Sequence, residues 1–359
     1  MKNDEHYIKQ TFKLARKAQG GTSPNPLAGA LIVKNNKIIA QGFHKKAGLA
    51  HAEIEAFRKA KTGVAGSTLY VNLEPCYHFG RTGPCVDEII KRKISRVVIS
   101  TLDPNPVVYG KSVKKLKAAG INVTIGILSK EAMRLNEVFF KNMKKNLPFL
   151  AAKCAQSLDG KIATRKGVSK WITGDKSRQF SRGLRDRYDC VLAGVNTVLQ
   201  DSPRLDGPMK VPFKAVLDPD LKIPSNSYLI KNNPQKLIIF TSWRNKNRAG
   251  RLPIVAKIFF VKENNGSFDL KMVMRRLYDY GVMSVFIEGG SQTLGSFFDA
   301  KLVDKVYFFI APKIIGGKSA LPSVGGKGFA SPDDVWLDDM RVQKIGEDVL
   351  VTGYPCYRK

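Results

Sequence analysis

The sequence LEPCYHFGRTGPC, residues 73–85, contains two Pro-Cys pairs, Pro75-Cys76 and Pro84-Cys85, with eight residues between the two cysteines. It follows an apolar run, Thr68–Leu73, that predicts a buried strand, and it leads into a predicted helix that begins near Cys85. A thiol at the positive end of a helix favours the thiolate, which is the form that binds metals. Both cysteines are therefore candidate metal ligands. Two buried structural cysteines are the alternative.

A histidine and a glutamate stand upstream, in the sequence AHAEIEAFRKA at residues 50–60. Inside a helix, residues two apart point about 200° away from each other. At a helix start the first residue is not yet helical, so His51 and Glu53 can face one cavity. Taken alone, the pair is more typical of a surface histidine beside a solvated glutamate.

The histidine, the glutamate and the two cysteines form the pattern H-x-E…P-C…C, which resembles the cytidine-deaminase superfamily. Two thiolates and one imidazole give a tetrahedral zinc three protein ligands and leave the fourth position for water, as in catalytic zinc sites. The resemblance implies that His51, Cys76 and Cys85 bind zinc. It also implies that Glu53 moves a proton from the water to the ring nitrogen and then to the departing ammonia.

Length and composition indicate two globular domains. The 359 residues suffice for two separate cores, and a hydrophobic content of 43% is too high for a disordered chain. The five cysteines, an odd number, argue against a disulfide framework. The first residues, MKNDEHYIKQ, do not predict a secretory signal, and no stretch reaches the roughly 20 apolar residues of a membrane helix. We therefore expect a cytoplasmic protein with no membrane partner.

The net charge of +30, from 60 Lys and Arg against 30 Asp and Glu, suggests a polyanionic partner. The basic residues are nevertheless scattered, with only short clusters such as Lys91–Lys93, and they form no basic tail. We therefore expect no nucleic-acid partner and assign part of the charge to a phosphorylated small substrate. A solvated surface biased toward lysine is the alternative.

Apolar periodicity predicts an α/β architecture in both halves. Helices and strands alternate after a hairpin around Asn35-Asn36, and one last helix is predicted from about Lys130 to Lys144. Pro148 follows this charged helix end and marks the boundary. The pattern thus predicts one α/β domain over residues 1–146 and a second over residues 147–359, and the resemblance implies a cytidine-deaminase-like three-layer α/β/α fold for the first.

The eight residues between the cysteines limit the resemblance to part of the superfamily, because most of its members have only two residues there. The loop resembles the deaminase half of bifunctional riboflavin-biosynthesis deaminase–reductases, together with the segments Ser23–Pro26, Gly42–His44 and Asp103–Pro106. The resemblance implies deamination of a diaminohydroxypyrimidine that carries a phosphoribosylamino group.

Three substrate contacts follow from the same resemblance: Asn25, His44 and Arg81. From the residues alone they are also consistent with a turn-capping asparagine, a surface histidine and a surface arginine. His78 lies in the same loop and would close the open zinc position as a fourth ligand. We therefore expect His78 to have a loop or substrate role.

The second half carries the reductase motifs of the same family, in the family's order: Lys153–Ala163, Ser169–Gly174, Leu184–Leu205, Val285–Phe298 and Ile310–Gly317. By resemblance this domain has a dihydrofolate-reductase-like fold and transfers a hydride from NADPH to the ribose, in its opened imine form, to give a ribityl chain. A strand, Gly289-Gly290 and a helix follow one another. Free N–H groups at such a helix start suit a dinucleotide phosphate, although backbone packing without a ligand is the alternative.

The resemblance implies three groups of reductase residues. Lys153 and Asp201 are the polar pair near the reacting sugar. The substrate contacts are Ser169, Arg185, Leu205 and Glu288. The NADPH contacts are Ala155, Trp171, Thr197, Asp201, Gly290, Ser291, Gln292, Thr293, Leu294, Gly295 and Ser296. From the residues alone, Trp171 is better interpreted as a core aromatic and Arg185 as a helix-surface charge.

Pro208 stands where the family often has an arginine, so Arg204 or Lys210 could supply the missing phosphate contact. The sequence predicts a bifunctional zinc-dependent deaminase and NADPH-dependent reductase with a small phosphoribosyl pyrimidine as substrate, and it leaves room for a homo-oligomer. Two alternatives stay open: a nucleic-acid deaminase acting on tRNA adenosine with an accessory domain, and a basic RNA- or partner-binding protein with a decayed site.

Overall fold

The computed structural model describes residues 2–61, 63–77, 83–250, 255–264 and 267–358, without the side chains of Lys2 and Asn264. The chain divides into two compact units, Met1–Asn146 and Leu147–Lys359. Each unit is built on a mixed sheet with helices, so the predicted α/β class is confirmed. None of the described helices is long and apolar enough to cross a lipid bilayer.

The first unit contains a five-stranded sheet in the order β2-β1-β3-β4-β5. Strand β1 pairs antiparallel with β2 and β3, while β3, β4 and β5 run parallel. The strands are β1 (Gly29–Lys34), β2 (Lys37–Phe43), β3 (Thr68–Leu73), β4 (Arg96–Thr101) and β5 (Asn122–Ile125). The helices are α1 (Lys2–Arg16), α2 (Ala52–Lys59), α3 (Cys85–Lys91), α4 (Lys111–Ala118), α5 (Ser129–Leu135) and α6 (Glu137–Lys145).

Helices cover both faces of this sheet because the central strands are apolar on both sides. Helices α2, α3 and α4 pack on one face through Phe57, Ile89 and Leu116. Helices α1 and α5 pack on the other face, where Phe12 and Ala132 join the core. The unit therefore has the three layers, α/β/α, that the alternating pattern predicts.

The predicted single helix from about Lys130 to Lys144 is wrong, because the structure has two helices, α5 and α6, that meet at Asn136. The backbone of Asn136 has φ −110° and ψ 29°, outside the helical range. Its side chain bonds both the N–H and the carbonyl of Leu27, at 2.7 and 3.0 Å. A tertiary hydrogen bond thus interrupts a segment whose local periodicity is helical.

The second unit contains a nine-stranded sheet in the order β11-β10-β9-β8-β14-β6-β15-β18-β17. Its strands are β6 (Phe149–Ser157), β8 (Cys190–Gly194), β9 (Phe213–Leu217), β10 (Leu237–Ser242), β11 (Lys257–Val261), β14 (Ser284–Ile287), β15 (Lys305–Ala311), β17 (Val335–Ile345) and β18 (Asp348–Tyr357). Two short pairs lie apart, β7 (Lys161–Ala163) with β16 (Leu321–Pro322) and β12 (Glu263–Asn264) with β13 (Ser267–Phe268). The helices are α7 (Asp175–Leu184), α8 (Val195–Asp201), α9 (Tyr228–Lys231), α10 (Lys246–Ala249), α11 (Leu270–Asp279) and α12 (Ser291–Asp299).

The last two strands form a long antiparallel hairpin that the apolar pattern does not reveal. Strand β17 pairs with β18, and β18 pairs with β15. Most residues of β17 are exposed, so the strand lacks the continuous apolar run by which the other strands are recognised. Gly346, with φ +65°, lies between the two strands.

Strands β8, β14 and β6 are adjacent and parallel, so the segments that follow them lie at the same edge of the sheet. Strand β8 leads directly into α8, and β14 leads through Glu288, Gly289 and Gly290 into α12. This edge is where ligands bind in open α/β sheets. The topology therefore gathers the predicted second-unit residues in one region.

Candidate active sites

His51, Cys76 and Cys85 form a compact cluster in the first unit, which we call the metal cluster. Their ligand atoms all lie within 4.8 Å of one another. Nδ1 of His51 is 3.4 Å from Sγ of Cys85, and the backbone N–H of Cys85 donates to Sγ of Cys76 over 3.1 Å. His51 is the N-cap of α2, with an extended backbone, while Cys85 is the first residue of α3. Two helix starts thus bring the three side chains together.

Hydrogen bonding within the metal cluster prepares one sulfur to bind a cation. The hydrogen bond with the Cys85 thiol lowers the pKa of Cys76 to about 4, despite its burial. The hydrogen bond with Cys76 raises the pKa of His51 to about 9. The same contact and burial raise the pKa of the Cys85 thiol well above its ordinary value. Cys76 is therefore a thiolate at neutral pH, the form in which cysteine binds metals.

The donor set fits zinc. One imidazole and two cysteine sulfurs are preferred zinc ligands, and tetrahedral zinc with ordinary bond lengths separates its nitrogen and sulfur ligands by about 3.6 Å. The observed separation of 3.4 Å between His51 and Cys85 is close to this value. Three protein ligands leave one tetrahedral position for water, which is the arrangement of a catalytic site.

Glu53 is the second residue of α2 and lies beside the metal cluster, with only 5% of its surface exposed. Burial raises the pKa of its carboxyl, partly offset by the charge of His51, and a hydrogen bond joins the carboxyl to the Cys85 thiol. A carboxyl with a raised pKa can take and return a proton near neutral pH. The two residues of the H-x-E pair therefore have different places: the His51 ring is part of the metal cluster, and the Glu53 carboxyl lies next to it.

His44 and Asn25 form a hydrogen-bonded pair next to the metal cluster. Nδ1 of His44 donates to the carbonyl oxygen of Ala50 over 3.0 Å, so in the neutral ring Nε2 accepts from Nδ2 of Asn25 over 3.1 Å. Burial lowers the pKa of His44, which favours this neutral ring. The rings of His44 and His51 meet edge-on at 5.4 Å. His44, only 3% exposed, is therefore placed to orient Asn25 rather than to offer a free ring nitrogen.

Two buried asparagines that the sequence patterns did not single out hold the segment after Asn25. Asn72 accepts from the N–H of Gly29 and donates to the carbonyl of Leu27, at 2.7 and 2.8 Å. Asn136 bonds both backbone groups of Leu27. An asparagine inside the apolar strand β3 is the sequence signal that could have identified Asn72, because a buried amide needs partners.

Glu74 is a second residue missed by the patterns. It lies between β3 and Cys76, and its carboxylate accepts from the N–H groups of Asp103 and Gly110, at 3.2 and 3.0 Å. Asp103 in turn accepts from the N–H of Asn105 over 2.8 Å. Glu74 therefore fixes the segment Asp103–Pro106. Arg81 and His78, which the sequence places near the substrate, lie outside the described residues.

The second unit contains a cavity of about 1720 Å³, which we call the second-unit cavity. It gathers most of the residues that the resemblance assigns to the reductase. Those lining it are Lys153, Ala155, Ser169, Trp171, Arg185, Thr197, Asp201, Leu205, Glu288, Gly290, Ser291, Gln292, Thr293 and Ser296.

Leu294 and Gly295 are not among the residues lining this cavity. Leu294 is fully buried in the hydrophobic core. A Cβ at Gly295 would lie 2.1 Å from the carbonyl carbon of Gly325, so this glycine lets a neighbouring loop pack on α12. Leu294 and Gly295 therefore pack beneath the cavity and do not form its surface.

Arg185 and Glu288 form a two-point ion pair. Nε and Nη2 of Arg185 donate to the two carboxylate oxygens of Glu288, at 2.5 and 2.9 Å, and Nη1 donates to the carbonyl oxygen of Asp206 at 2.8 Å. Burial would raise the pKa of Glu288, but the charges of Arg185 and Lys153 lower it further than burial raises it. Arg185 is therefore not a helix-surface charge.

Trp171 and Asp201 lie at an exposed part of the same cavity. Trp171 is 63% exposed, so it is not a core aromatic, and the guanidinium of Arg178 lies 4.4 Å from its ring centroid. Asp201, the last residue of α8, lies 3.5 Å from Nζ of Lys170. An exposed indole with a cation on one face has its other face available for a planar ligand.

Arg204 and Lys210 are the two candidates for the phosphate contact that Pro208 cannot make. Their surroundings differ. Arg204 lines the second-unit cavity, with its guanidinium 5.3 Å from the ring centroid of Tyr228. Lys210 donates to the carbonyl oxygen of Tyr188 over 3.3 Å and lies 3.6 Å from a carboxylate oxygen of Asp189. These positions favour Arg204 over Lys210 as the phosphate contact.

The sequence matches two domain families that divide the chain in the same way. Residues 1–101 match the cytidine and deoxycytidylate deaminase zinc-binding region, and residues 148–351 match the RibD C-terminal domain. The match to the zinc-binding region includes His51, Glu53, Cys76 and Cys85.

Near full-length relatives carry both regions. The riboflavin biosynthesis protein RibD of Aquifex aeolicus is 40% identical over 353 residues, which covers 97% of each chain. That of Bacillus amyloliquefaciens is 38% identical and covers 98% of this chain and 96% of its own. The solved structure of a diaminohydroxyphosphoribosylaminopyrimidine deaminase/5-amino-6-(5-phosphoribosylamino)uracil reductase from Thermotoga maritima superposes with a TM-score of 0.88, at 36% identity, over 99% of both chains.

Proposed function

Because the chain belongs to the RibD family of bifunctional riboflavin-biosynthesis proteins, we propose that its two units act in turn on one phosphoribosyl pyrimidine. The protein is a zinc-dependent deaminase and an NADPH-dependent reductase. We assign deamination of the diaminohydroxypyrimidine ribotide to residues 1–146 and reduction of its ribose to a ribityl chain to residues 147–359. The observation that carries the proposal is the metal cluster with the buried Glu53 carboxyl beside it.

In the deaminase unit, His51, Cys76 and Cys85 would hold the zinc ion, which when bound supplies a water that is nucleophilic at neutral pH. Glu53 would carry one proton of that water to the ring nitrogen and the second to the leaving amine, which departs as ammonia. Asn25, oriented by His44, contacts the substrate. We place Arg81 at the substrate as well.

In the reductase unit, bound NADPH supplies the hydride. It would be held by Ala155, Trp171, Thr197, Asp201 and the start of α12, because the free N–H groups of a helix start suit a phosphate. Lys153 and Asp201 are the polar pair at the reacting sugar. Arg185 has five N–H groups, of which three are used by Glu288 and Asp206. The remaining two suit a phosphate oxygen, and together with Ser169, Leu205, Glu288 and Arg204 they form the ribotide site.

The alternative of a nucleic-acid deaminase acting on tRNA adenosine is not favoured, because the RibD C-terminal domain family matches residues 148–351. A decayed binding protein is not favoured either, because the metal cluster and Glu53 are both present. A homo-oligomer and a cytoplasmic location stay predictions. Light scattering on the purified protein measures the first.

The proposed function is tested by giving the protein the diaminopyrimidine ribotide with and without NADPH. We expect the deaminated ribotide and ammonia in both cases, and the ribityl product only with NADPH. A tRNA substrate in parallel provides the competing outcome, since deamination of the tRNA alone would contradict the proposal.

Replacing Glu53 by Gln separates the two activities. The amide cannot carry the proton, so we expect deamination to fall by about 100- to 10,000-fold while reduction of the deaminated ribotide is unchanged. Glu55→Gln is the matched control, because Glu55 lies on the same helix but forms ion pairs with Lys45 and Arg58. Full deaminase activity in Glu53→Gln would contradict the assigned role.

A further inference from the structure

A lysine lies at the centre of the second-unit sheet, where an ammonium group is unexpected. Lys214 is the second residue of β9 and is completely buried, with Val191 of β8 and Leu237 of β10 as its neighbours across the sheet. Burial of an ammonium among apolar residues is costly unless the charge is paired. Its Nζ lies 2.6 Å from Oδ1 of Asp206, and the ring centroid of Tyr228 lies 5.8 Å away.

The partner of this lysine belongs to the second-unit cavity. Asp206 lines the cavity, and its side chain is 22% exposed. Its other carboxylate oxygen accepts from the hydroxyl of Tyr228 over 3.4 Å. Within the described residues, neither Nζ of Lys214 nor Oδ1 of Asp206 forms a hydrogen bond, so their ion pair is the contact that compensates each charge. The two groups therefore depend on each other.

Asp206 also holds the arginine of the ribotide site. Its backbone carbonyl accepts from Nη1 of Arg185, while Glu288 takes Nε and Nη2. Lys214 thus pairs with the carboxylate of Asp206, Arg185 pairs with the carboxylate of Glu288, and the backbone carbonyl of Asp206 links the two ion pairs. A carboxylate released from Lys214 would be free to compete for the guanidinium of Arg185, and its negative charge would repel a phosphate at the same place.

We propose that Lys214 is a positioning residue for the reductase: it retains the Asp206 carboxylate in the interior, and so leaves Arg185 free to bind the phosphate of the ribotide. Lys214 itself touches neither substrate nor cofactor. This inference rests on the proposed function, because it requires that the ribotide binds in the second-unit cavity. It adds a residue outside the site that controls the affinity of the reductase for one of its two substrates.

The test compares Lys214→Met, Asp206→Asn and the double variant with the unmodified full-length protein. We expect Lys214→Met to raise the KM for the deaminated ribotide by about tenfold or more, with the NADPH dissociation constant within about twofold of the unmodified value. The double variant lacks the released carboxylate, so its KM should return to within about threefold of the unmodified value. NADPH binding is measured by energy transfer from tryptophan, since Trp171, Trp243 and Trp336 all lie in this unit.

A purely structural role would give a different result, because the double variant would be impaired as much as Lys214→Met. That outcome, or an unchanged ribotide KM in Lys214→Met, would overturn the inference. If Lys214→Met does not fold, the double variant decides, since the inference requires it to fold and bind the ribotide normally. Absence of ribotide reduction by the unmodified protein would instead contradict the proposed function.

Discussion

Nε and Nη2 of Arg185 donate to the two carboxylate oxygens of Glu288 over 2.5 and 2.9 Å, inside the second-unit cavity. Both residues are individually expected to contact the substrate, and the structure shows that they also contact each other. The pair is largely buried, with side-chain exposures of 14% and 11%. A buried pair of this kind fixes the orientation of the guanidinium, and the loss of one partner leaves an uncompensated charge.

Acid should weaken this ion pair. The pKa of Glu288 is lowered below its ordinary value of 4.5, so the carboxylate stabilises the fold fully above pH 4.5 and loses this effect as the pH falls through the lower, folded value. We expect the free energy of unfolding of the second unit to fall as the pH drops below 4.5, and to fall less steeply in Glu288→Gln. Denaturant titrations followed by tryptophan fluorescence at several pH values measure how the free energy of unfolding changes with pH in both proteins.

Glu347→Gln is the control for this experiment, because Glu347 is exposed near the turn between β17 and β18. It should keep the pH dependence of the unmodified protein. At neutral pH, Glu288→Gln should be less stable by about 3–5 kcal/mol, since Arg185 stays buried without its partner. Equal slopes in Glu288→Gln and the unmodified protein would show that the pair does not control acid stability.

Removal of a zinc ligand should abolish deamination only. Cys85→Ser replaces a thiolate ligand by a hydroxyl that is not ionised at neutral pH, so we expect zinc per chain to fall from about one to near zero and deaminase activity to fall with it. Reduction of the deaminated ribotide should continue. Cys356→Ser, in strand β18, is the control and should retain zinc. Retention of a full zinc equivalent by Cys85→Ser would exclude Cys85 as a ligand.

His44→Phe should weaken substrate binding in the deaminase without loss of zinc. The phenyl ring fills the same space against His51 but cannot hold Asn25 or bond the Ala50 carbonyl. We expect the KM for the diaminopyrimidine ribotide to rise by about tenfold, because Asn25 loses its fixed orientation. Steady-state kinetics and metal analysis check the two parts. His6→Phe, on α1, should change neither, and zinc loss in His44→Phe would instead make His44 part of the metal site.

Two adjacent glycines at the start of α12 should tolerate alanine differently. A Cβ at Gly289 would lie 2.7 Å from Cβ of Thr293, whereas a Cβ at Gly290 would be 3.8 Å from Oγ1 of Thr197, an ordinary contact. We expect Gly289→Ala to destabilise the second unit by about 1–3 kcal/mol and Gly290→Ala by less than about 0.5 kcal/mol. Tryptophan-monitored unfolding compares them. Equal stability of the two variants would mean that α12 moves freely away from Thr293.

The sequence by itself determined the α/β class of both units, because the apolar runs of a parallel sheet are continuous and easily recognised. Strand β3 begins and ends where the apolar run Thr68–Leu73 predicts. The zinc site was also predicted from the sequence, since the pattern H-x-E…P-C…C resembles the cytidine-deaminase superfamily. The hairpin of β17 and β18 was not predicted, and β17 has no buried residue, so it leaves no apolar run.

The tertiary structure alone decided which polar residues act on one another. The hydrogen bonds of Asn72 and Asn136 with Leu27, the hydrogen bond from the N–H of Asp103 to Glu74 and the ion pair of Lys214 with Asp206 connect residues that are far apart in the chain or buried where no motif marks them. Asn136 divides a helix that local periodicity predicts as continuous, because a buried backbone group must be paired. Sequence spacing fixes what a residue can do within one helix or strand. Which distant partner satisfies a buried charge or amide is fixed only when the strands come together.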